Sequence, residues 1–257
     1  MVVLAGLIHL PRWAVAVVGV GMMVGHKLLD GVQAEQLGPL ATLWHVLHQP
    51  GLMHPAPEVA VLALYPLVPW VGVMAAGYAL GPVMLLDPVP RRRRLAALGA
   101  GVTLTFILLR AANLYGDPAP WAWHEGLVAT ALSFVNTEKY PPSALYLGMT
   151  LGPALLALAA FEAVRGRLAS ILVTFGRVPL FYYVAHLLLV HAMAVAFALL
   201  TLGDAGWMFG PPPIGGKPAG YGLDLPGVYL IWLLVVALLY LPCRWFAVSS
   251  VGAPIPG

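Results

Sequence analysis

Residues 179–202 read PLFYYVAHLLLVHAMAVAFALLTL, a run without a single Asp, Glu, Lys or Arg. It exceeds the roughly 20 apolar residues that an α-helix needs to cross a bilayer. Apolar side chains fall on every face of the helix it would form, so the stripe of a water-soluble amphipathic helix is missing. Five more runs share this character: Trp13 to Lys27, Tyr65 to Leu86, Leu95 to Ala112, Ser143 to Val164 and Gly227 to Val248. None shows the alternation of about ten residues that marks a membrane β-barrel, and helices are the other structure that satisfies the backbone in hydrocarbon. The sequence predicts an all-α, polytopic transmembrane helix bundle of six full spans. Met1 to Leu10 adds a partial apolar helix, too short to cross and without the basic leader or small-residue cleavage site of a signal peptide.

Composition agrees. Of 257 residues, 61% are hydrophobic and 9% charged, with a mean hydropathy of +0.88. A soluble domain carries about 25% charged residues, which excludes an ordinary cytosolic enzyme as well as a disordered chain or coiled coil. The single cysteine, Cys243, excludes an intramolecular disulfide framework and any cysteine-ligated metal cluster. A net charge of +3 would suit nucleic acid, but the arginines lie between apolar runs and are explained by membrane topology.

Placing the Arg91–Arg94 loop in the cytoplasm also places Arg12, Arg165, Arg167, Arg177 and Arg244 there, nine basic residues against four (Lys27, Arg110, Lys139, Lys217) on the other side. The expected location is a bacterial inner membrane, with the long loops 30–64, 113–142 and 203–226 outside. The last of these holds Pro211-Pro212-Pro213 and Gly215-Gly216 and reads as an irregular connector. The first two carry most of the polar chemistry, and Trp121 to Asn136 reads as a helix at the membrane interface. The pairs Gly21/Gly25, Gly77/Gly81 and Gly148/Gly152 have the spacing of helix-packing surfaces.

The candidate catalytic residues are His26, Asp30 and His186. His26 and Asp30 are four apart at the end of the first span, where a helix would set a carboxylate beside an imidazole and raise its basicity. The alternative is a helix-end hydrogen bond. His186 lies within an apolar span, where an ionisable side chain is a functional candidate by default; the alternative is a neutral histidine bonded to another helix. Candidate substrate-binding residues are Arg110, Asn113, Asp117, Lys139, Tyr140 and Arg177. Arg110 closes the third span and calls for a counter-charge, Asp117 or a substrate anion. Lys139 would stand beside the helix that Ser143 caps, where anions are favoured. His45, His48 and His54 lack the spacing of a zinc site, so no metal is expected. They read as solvated or backbone-bonded loop histidines.

HKLLD at 26–30, YPLVPWVGVMAAGYALG at 65–81, LRAANLYGDPAPW at 109–121, NTEKYPPSALYLGMTLGPALL at 136–156 and GRVPLFYYVAHL at 176–187 stand in a familiar order. With these stretches the chain resembles the bacterial multi-pass proteins classed with the heparan-alpha-glucosaminide N-acetyltransferase catalytic domain. The resemblance implies transfer of an acetyl group from acetyl-CoA, a co-substrate on the cytosolic side, to an amino sugar or other glycan acceptor on the far side. It matches His186 to the family's late histidine, and Arg110, Asn113, Asp117, Lys139 and Tyr140 to its outer motifs. The family's first helices, with an Arg-Gly motif and an early histidine associated with acetyl transfer, have no counterpart. Residues 1–257 therefore read as one integral membrane domain that is the C-terminal portion of a longer one. The expected partners are the lipid bilayer and the acceptor, with a homo-oligomer allowed and no covalently bound cofactor. A transporter or flippase for a polar or lipid-linked molecule, or a non-catalytic scaffold, are the alternative readings.

Overall fold

A computed structural model describes residues 2–56, 59–209 and 217–251. The Pro211–Gly216 part of the third long loop, Glu58 and the small neutral tail from 252 lie outside them. Among the described residues, six helices are long and apolar enough to cross a membrane. They begin and end within a few residues of the expected runs, except that the third starts at Pro88. Between 6% and 22% of each span is buried within the chain, so most of each apolar helix faces outward, which only a hydrocarbon solvent makes favourable. The chain is thus an integral membrane protein of all-α architecture.

It forms two compact units, Met1–Ala163 and Val164–Gly257. The first holds α1 (Val2–Leu7), α2 (Arg12–Gly25), α3 (Ala41–Leu47), α4 (Leu67–Met84), α5 (Pro88–Ala112), α6 (Leu127–Val135) and α7 (Ala144–Phe161). Two tight helix pairs, α2 with α4 and α5 with α7, make its frame. Backbone meets backbone in both. A methyl group on Gly19 would come within 2.8 Å of the Ala76 nitrogen, and one on Gly99 within 2.8 Å of the Leu156 nitrogen. Van der Waals packing of small residues replaces the hydrophobic drive that lipid removes. Of the expected glycine pairs, Gly148 and Gly152 pack against Phe106 and Thr103, whereas Gly21, Gly25, Gly77 and Gly81 face open space. Spacing alone does not tell which side of a helix meets a neighbour.

The four arginines, expected in a loop, occupy the first turns of α5, because Pro88 at its first position favours helix entry there. Arg91 Nε donates to Glu162 just past α7 (2.6 Å), and its Nη1 to the Leu86 carbonyl (3.1 Å). That gathers the end of α4, the start of α5 and the end of α7. At the opposite end of the unit, the end of α2, the end of α5 and the start of α7 meet the two polar loops. The first loop adds an antiparallel hairpin, β1 (Gly51–Ala56) with β2 (Val59–Ala63). The second loop is helical only over α6, so the helix expected from Trp121 begins six residues late.

The second unit holds α8 (Arg167–Arg177), α9 (Pro179–Leu202) and α10 (Leu225–Val251). Val178, Val235, Leu239, Cys243 and Ala247 are its buried core, with Phe181 stacked on Phe246 at 4.4 Å.

Candidate functional site

The polar end of the first unit is organised by how α2 stops. At His26 the α-helix tightens into a 3-10 turn over His26–Leu29. In a 3-10 helix residues three apart eclipse, whereas residues four apart do not. Asp30 therefore meets Lys27, at 3.3 Å, in place of the expected His26. Its other oxygen lies 3.0 Å from Nε2 of His48, which ends α3. The carboxylate–imidazole pair exists, but with a histidine that helix spacing does not single out. His48 is 3% exposed, its ring tilts on Trp44 at 4.7 Å, and its Nδ1 has no hydrogen-bond partner. Burial lowers its pKa, against the opposing pull of Asp30.

Three more groups converge here. Glu138, from the second loop, pairs with Lys27 at 2.5 Å. His26 is 2% exposed and edges onto His48 with ring centroids 5.9 Å apart. Neither of its ring nitrogens makes a hydrogen bond of normal geometry; one has only a weak contact with the Met23 carbonyl a turn back. Tyr115 donates to the Val24 carbonyl at the end of α2 (2.5 Å), and burial with the nearby Asp30 charge raises its pKa. Lys27, Asp30, His48, Gln49, Pro118 and Glu138 line a cleft of about 210 Å³. Its floor is held by the first loop, where the Gln49 side chain accepts from the Ala34 amide (2.8 Å) and Trp44 donates to the Val32 carbonyl (2.9 Å). Of the other loop histidines, His45 bonds the Gln49 carbonyl and His54 is exposed. Among the described residues no three His, Cys, Asp or Glu side chains are grouped to hold a metal ion.

The wall of the cleft is a polar knot built from the second loop. Arg110, 1% exposed, donates from Nε to the Phe134 carbonyl (2.9 Å) and from Nη1 to that of Ala119 (2.8 Å). Its Nη2 donates to the carbonyls of Ser133 (3.0 Å) and Asn136 (2.7 Å). Asp117 lies 3.8 Å from the guanidinium. The Asp117 carboxylate accepts from the Ala119 and Glu138 amides and the Ser143 hydroxyl, and Ser143 caps α7 through the Tyr146 amide. Asn113, left-handed at the end of α5, bonds both the amide and the carbonyl of Trp121. Arg110, Asn113 and Asp117 thus position the loop that carries Glu138 and Pro118. Lys139 and Tyr140 are exposed, with the ammonium 5.1 Å from its neighbour's ring centroid and the Tyr140 hydroxyl 3.5 Å from that of Tyr65. The contact with Tyr140 raises the Lys139 pKa, and the bonds to Tyr65 and then Lys139 lower that of Tyr140.

His186 and Arg177 belong to the second unit. His186 is half-buried in α9, stacked parallel on Tyr182 at 5.3 Å, with Nδ1 3.2 Å from the Tyr182 carbonyl of its own helix. Arg177 ends α8.

The sequence reading missed His48 and Glu138. The only signal for them was polarity within long loops, and pairing across 111 residues, as between Lys27 and Glu138, leaves no local pattern. No protein family, no curated protein and no solved structure matches the chain.

Proposed function

We propose that this integral membrane protein is an acyltransferase that delivers an acyl group from an acyl-CoA to an amine or hydroxyl acceptor held in the cleft at the end of α2. The observation that carries the reading is the Asp30–His48 pair, a buried imidazole held by a carboxylate that is 40% exposed and lines the cleft. Nε2–H donates to Asp30, which fixes the tautomer and leaves the Nδ1 lone pair unpaired but enclosed, so it serves as general base once acceptor entry opens the ring to the cleft. Burial keeps the ring neutral near pH 7, the state in which it can accept a proton. The acceptor nitrogen or oxygen forms a bond to the acyl carbonyl carbon, the donor's C–S bond breaks, and the proton taken up by Nδ1 passes to the leaving thiolate. The thioester is then presented at the cleft end of the unit, opposite Arg91–Arg94, a departure from the cytosolic donor side that the resemblance implies. One cation, Lys27, stands against two carboxylates, Asp30 and Glu138, so the cleft favours a neutral or cationic acceptor such as an amino sugar over an anion. The motif resemblance points to the same reaction class.

The test is transfer of radiolabelled acetyl from acetyl-CoA to a panel of amine and hydroxyl acceptors by the full chain in liposomes. His48→Ala and Asp30→Asn should each lower turnover by about a hundredfold or more. No transfer to any acceptor, or full activity in His48→Ala, would sink the proposal. Uptake of unchanged acceptor into the vesicles would replace it with transport.

A further inference from the structure

The short helix α6 is built inside out for water. Its outward residues are aliphatic: Leu127 is 85% exposed, Val128 75% and Leu132 61%. Its polar residues turn inward. Thr130 exchanges hydrogen bonds with the His124 backbone, and the Ser133 hydroxyl accepts from the Ala122 amide. No charged residue occurs between Glu125 and Glu138. The carbonyls at its C-terminal end, which a helix leaves without partners, are capped by the Arg110 guanidinium. A charged cap on otherwise orphaned carbonyls is what a helix end needs where water does not reach. On α5 it is the face of Phe106 and Arg110, four residues apart, that meets this helix, with Phe106 edge-on to Phe134 at 5.9 Å, while Leu104 and Leu108 lie exposed on another face.

Beside α6 lies a groove of about 360 Å³ with Trp121, Trp123, Ala131, Phe134 and Val135 in its walls. Two chain segments join it to the polar cleft. Pro118 and Glu138 line the cleft, while Trp121 and Val135, each three residues away, line the groove. Three residues span at most roughly 11 Å. An apolar slot in a lipid-facing surface, one short step from a hydrogen-bonding cleft, has the form of a site for an amphiphile.

We infer that the groove holds an acyl chain of a bilayer lipid whose polar head enters the Lys27/Asp30/His48/Glu138 cleft. Resting on the acyltransferase reading, this makes the acceptor a lipid-linked amine or alcohol, presented from the leaflet.

The experiment uses the full chain in nanodiscs of phosphatidylcholine with a phosphatidylethanolamine, which carries a head-group amine and no net charge, bearing a photoreactive diazirine in its acyl chain. After irradiation, adducts are mapped by mass spectrometry. They are expected on Trp123, Leu127 and Val135. Ala131→Trp fills the groove, and displacing two methylenes of the chain lowers labelling there roughly tenfold. Trp123→Ala removes a wall that is 79% exposed and packs edge-on against Trp121 at 5.2 Å, and serves as the second variant, with labelling of Val135 reduced in the same direction. Labelling of α6 no denser than that of the exposed first-loop residues Leu40 and Leu43, or unchanged in both variants, overturns the inference. The two proposals fail separately. If His48→Ala abolishes acetyl transfer while the groove variants change neither labelling nor transfer, the enzyme reading stands and the lipid site falls. If the groove variants lose labelling while His48→Ala leaves transfer intact, the reverse holds.

Discussion

Replacing Arg110 by methionine removes the guanidinium and keeps an unbranched chain of similar reach. The structure sets the scale of the loss. Four donor–acceptor contacts of 2.7 to 3.0 Å disappear from a residue that is 1% exposed, and the equally buried Asp117 side chain loses its counter-charge. Hydrogen bonds to a charged group contribute about 1.5–3 kcal/mol each, so a plain sum reaches roughly 6–12 kcal/mol. That sum overshoots, since the four bonds share one group and their losses are not independent. Breaking a buried charge pair from one side costs about 3–5 kcal/mol, and we expect about 4 kcal/mol here. The loss should be local. The Ala119 and Glu138 amides, both donors to Asp117, should exchange hydrogen up to roughly 10³-fold faster, read by mass spectrometry on the chain in nanodiscs. Arg110→Lys keeps the charge beside Asp117 but offers one nitrogen in place of three, and should recover about half of the loss. Native exchange at both amides in Arg110→Met would refute the view that Arg110 organises this loop.

Three further outcomes follow from the geometry. Gly19→Ala and Gly72→Ala drive a methyl group against backbone across the α2–α4 contact and should cost about 1–3 kcal/mol, seen as a lower thermal midpoint in detergent, whereas Gly21→Ala and Gly77→Ala should leave it unchanged. Ser143→Ala removes both the α7 cap and a bond to Asp117, for about 1–2 kcal/mol, with Ser143→Thr restoring most of it; equal midpoints for the two variants would contradict the cap. The His48 pKa lies below its ordinary 6.5 in the folded chain, so on acidification the unfolded chain binds the proton first. The contribution of His48 to stability is then complete above about pH 6.5 and lost as the pH falls from there through the folded value. A thermal midpoint that falls below pH 6.5 in the native chain, and less so in His48→Gln, is the expected result; a midpoint rising with acid would reverse the sign.

Much of the architecture was legible because hydrocarbon imposes a simple demand. Every residue of a span must be tolerable to lipid or to another helix, so a plain run of apolar letters marks it, and Pro179–Leu202 is read to the residue. Local chemistry was equally readable where it acts within one turn. Ser143 is the α7 cap, and Asp117 stands 3.8 Å from the Arg110 guanidinium as a counter-charge. Rules that assume one geometry failed where the geometry changes. The i,i+4 pairing of His26 with Asp30 presumes an α-helix, and the chain is 3-10 at that point. The amphipathic helix α8 and the hairpin of the first loop also went unread, since neither resembles a span nor carries a turn signature strong enough to stand out.

What the sequence by itself determined is the solvent: a chain this apolar, with its arginines between the runs, folds as helices in a membrane. That follows from composition and period, which are summed along the chain and need no knowledge of contacts. Only the tertiary structure decided which polar residues act together. Asp30 chose Lys27 and His48 over His26, Glu138 came to Lys27 from 111 residues away, and Arg110 turned from a span's last residue into the clasp of a loop. Each is a pairing of charges or dipoles over a few ångströms in a poorly screened setting. Its energy depends on distance and direction in space, and the order of residues along the chain does not encode either one.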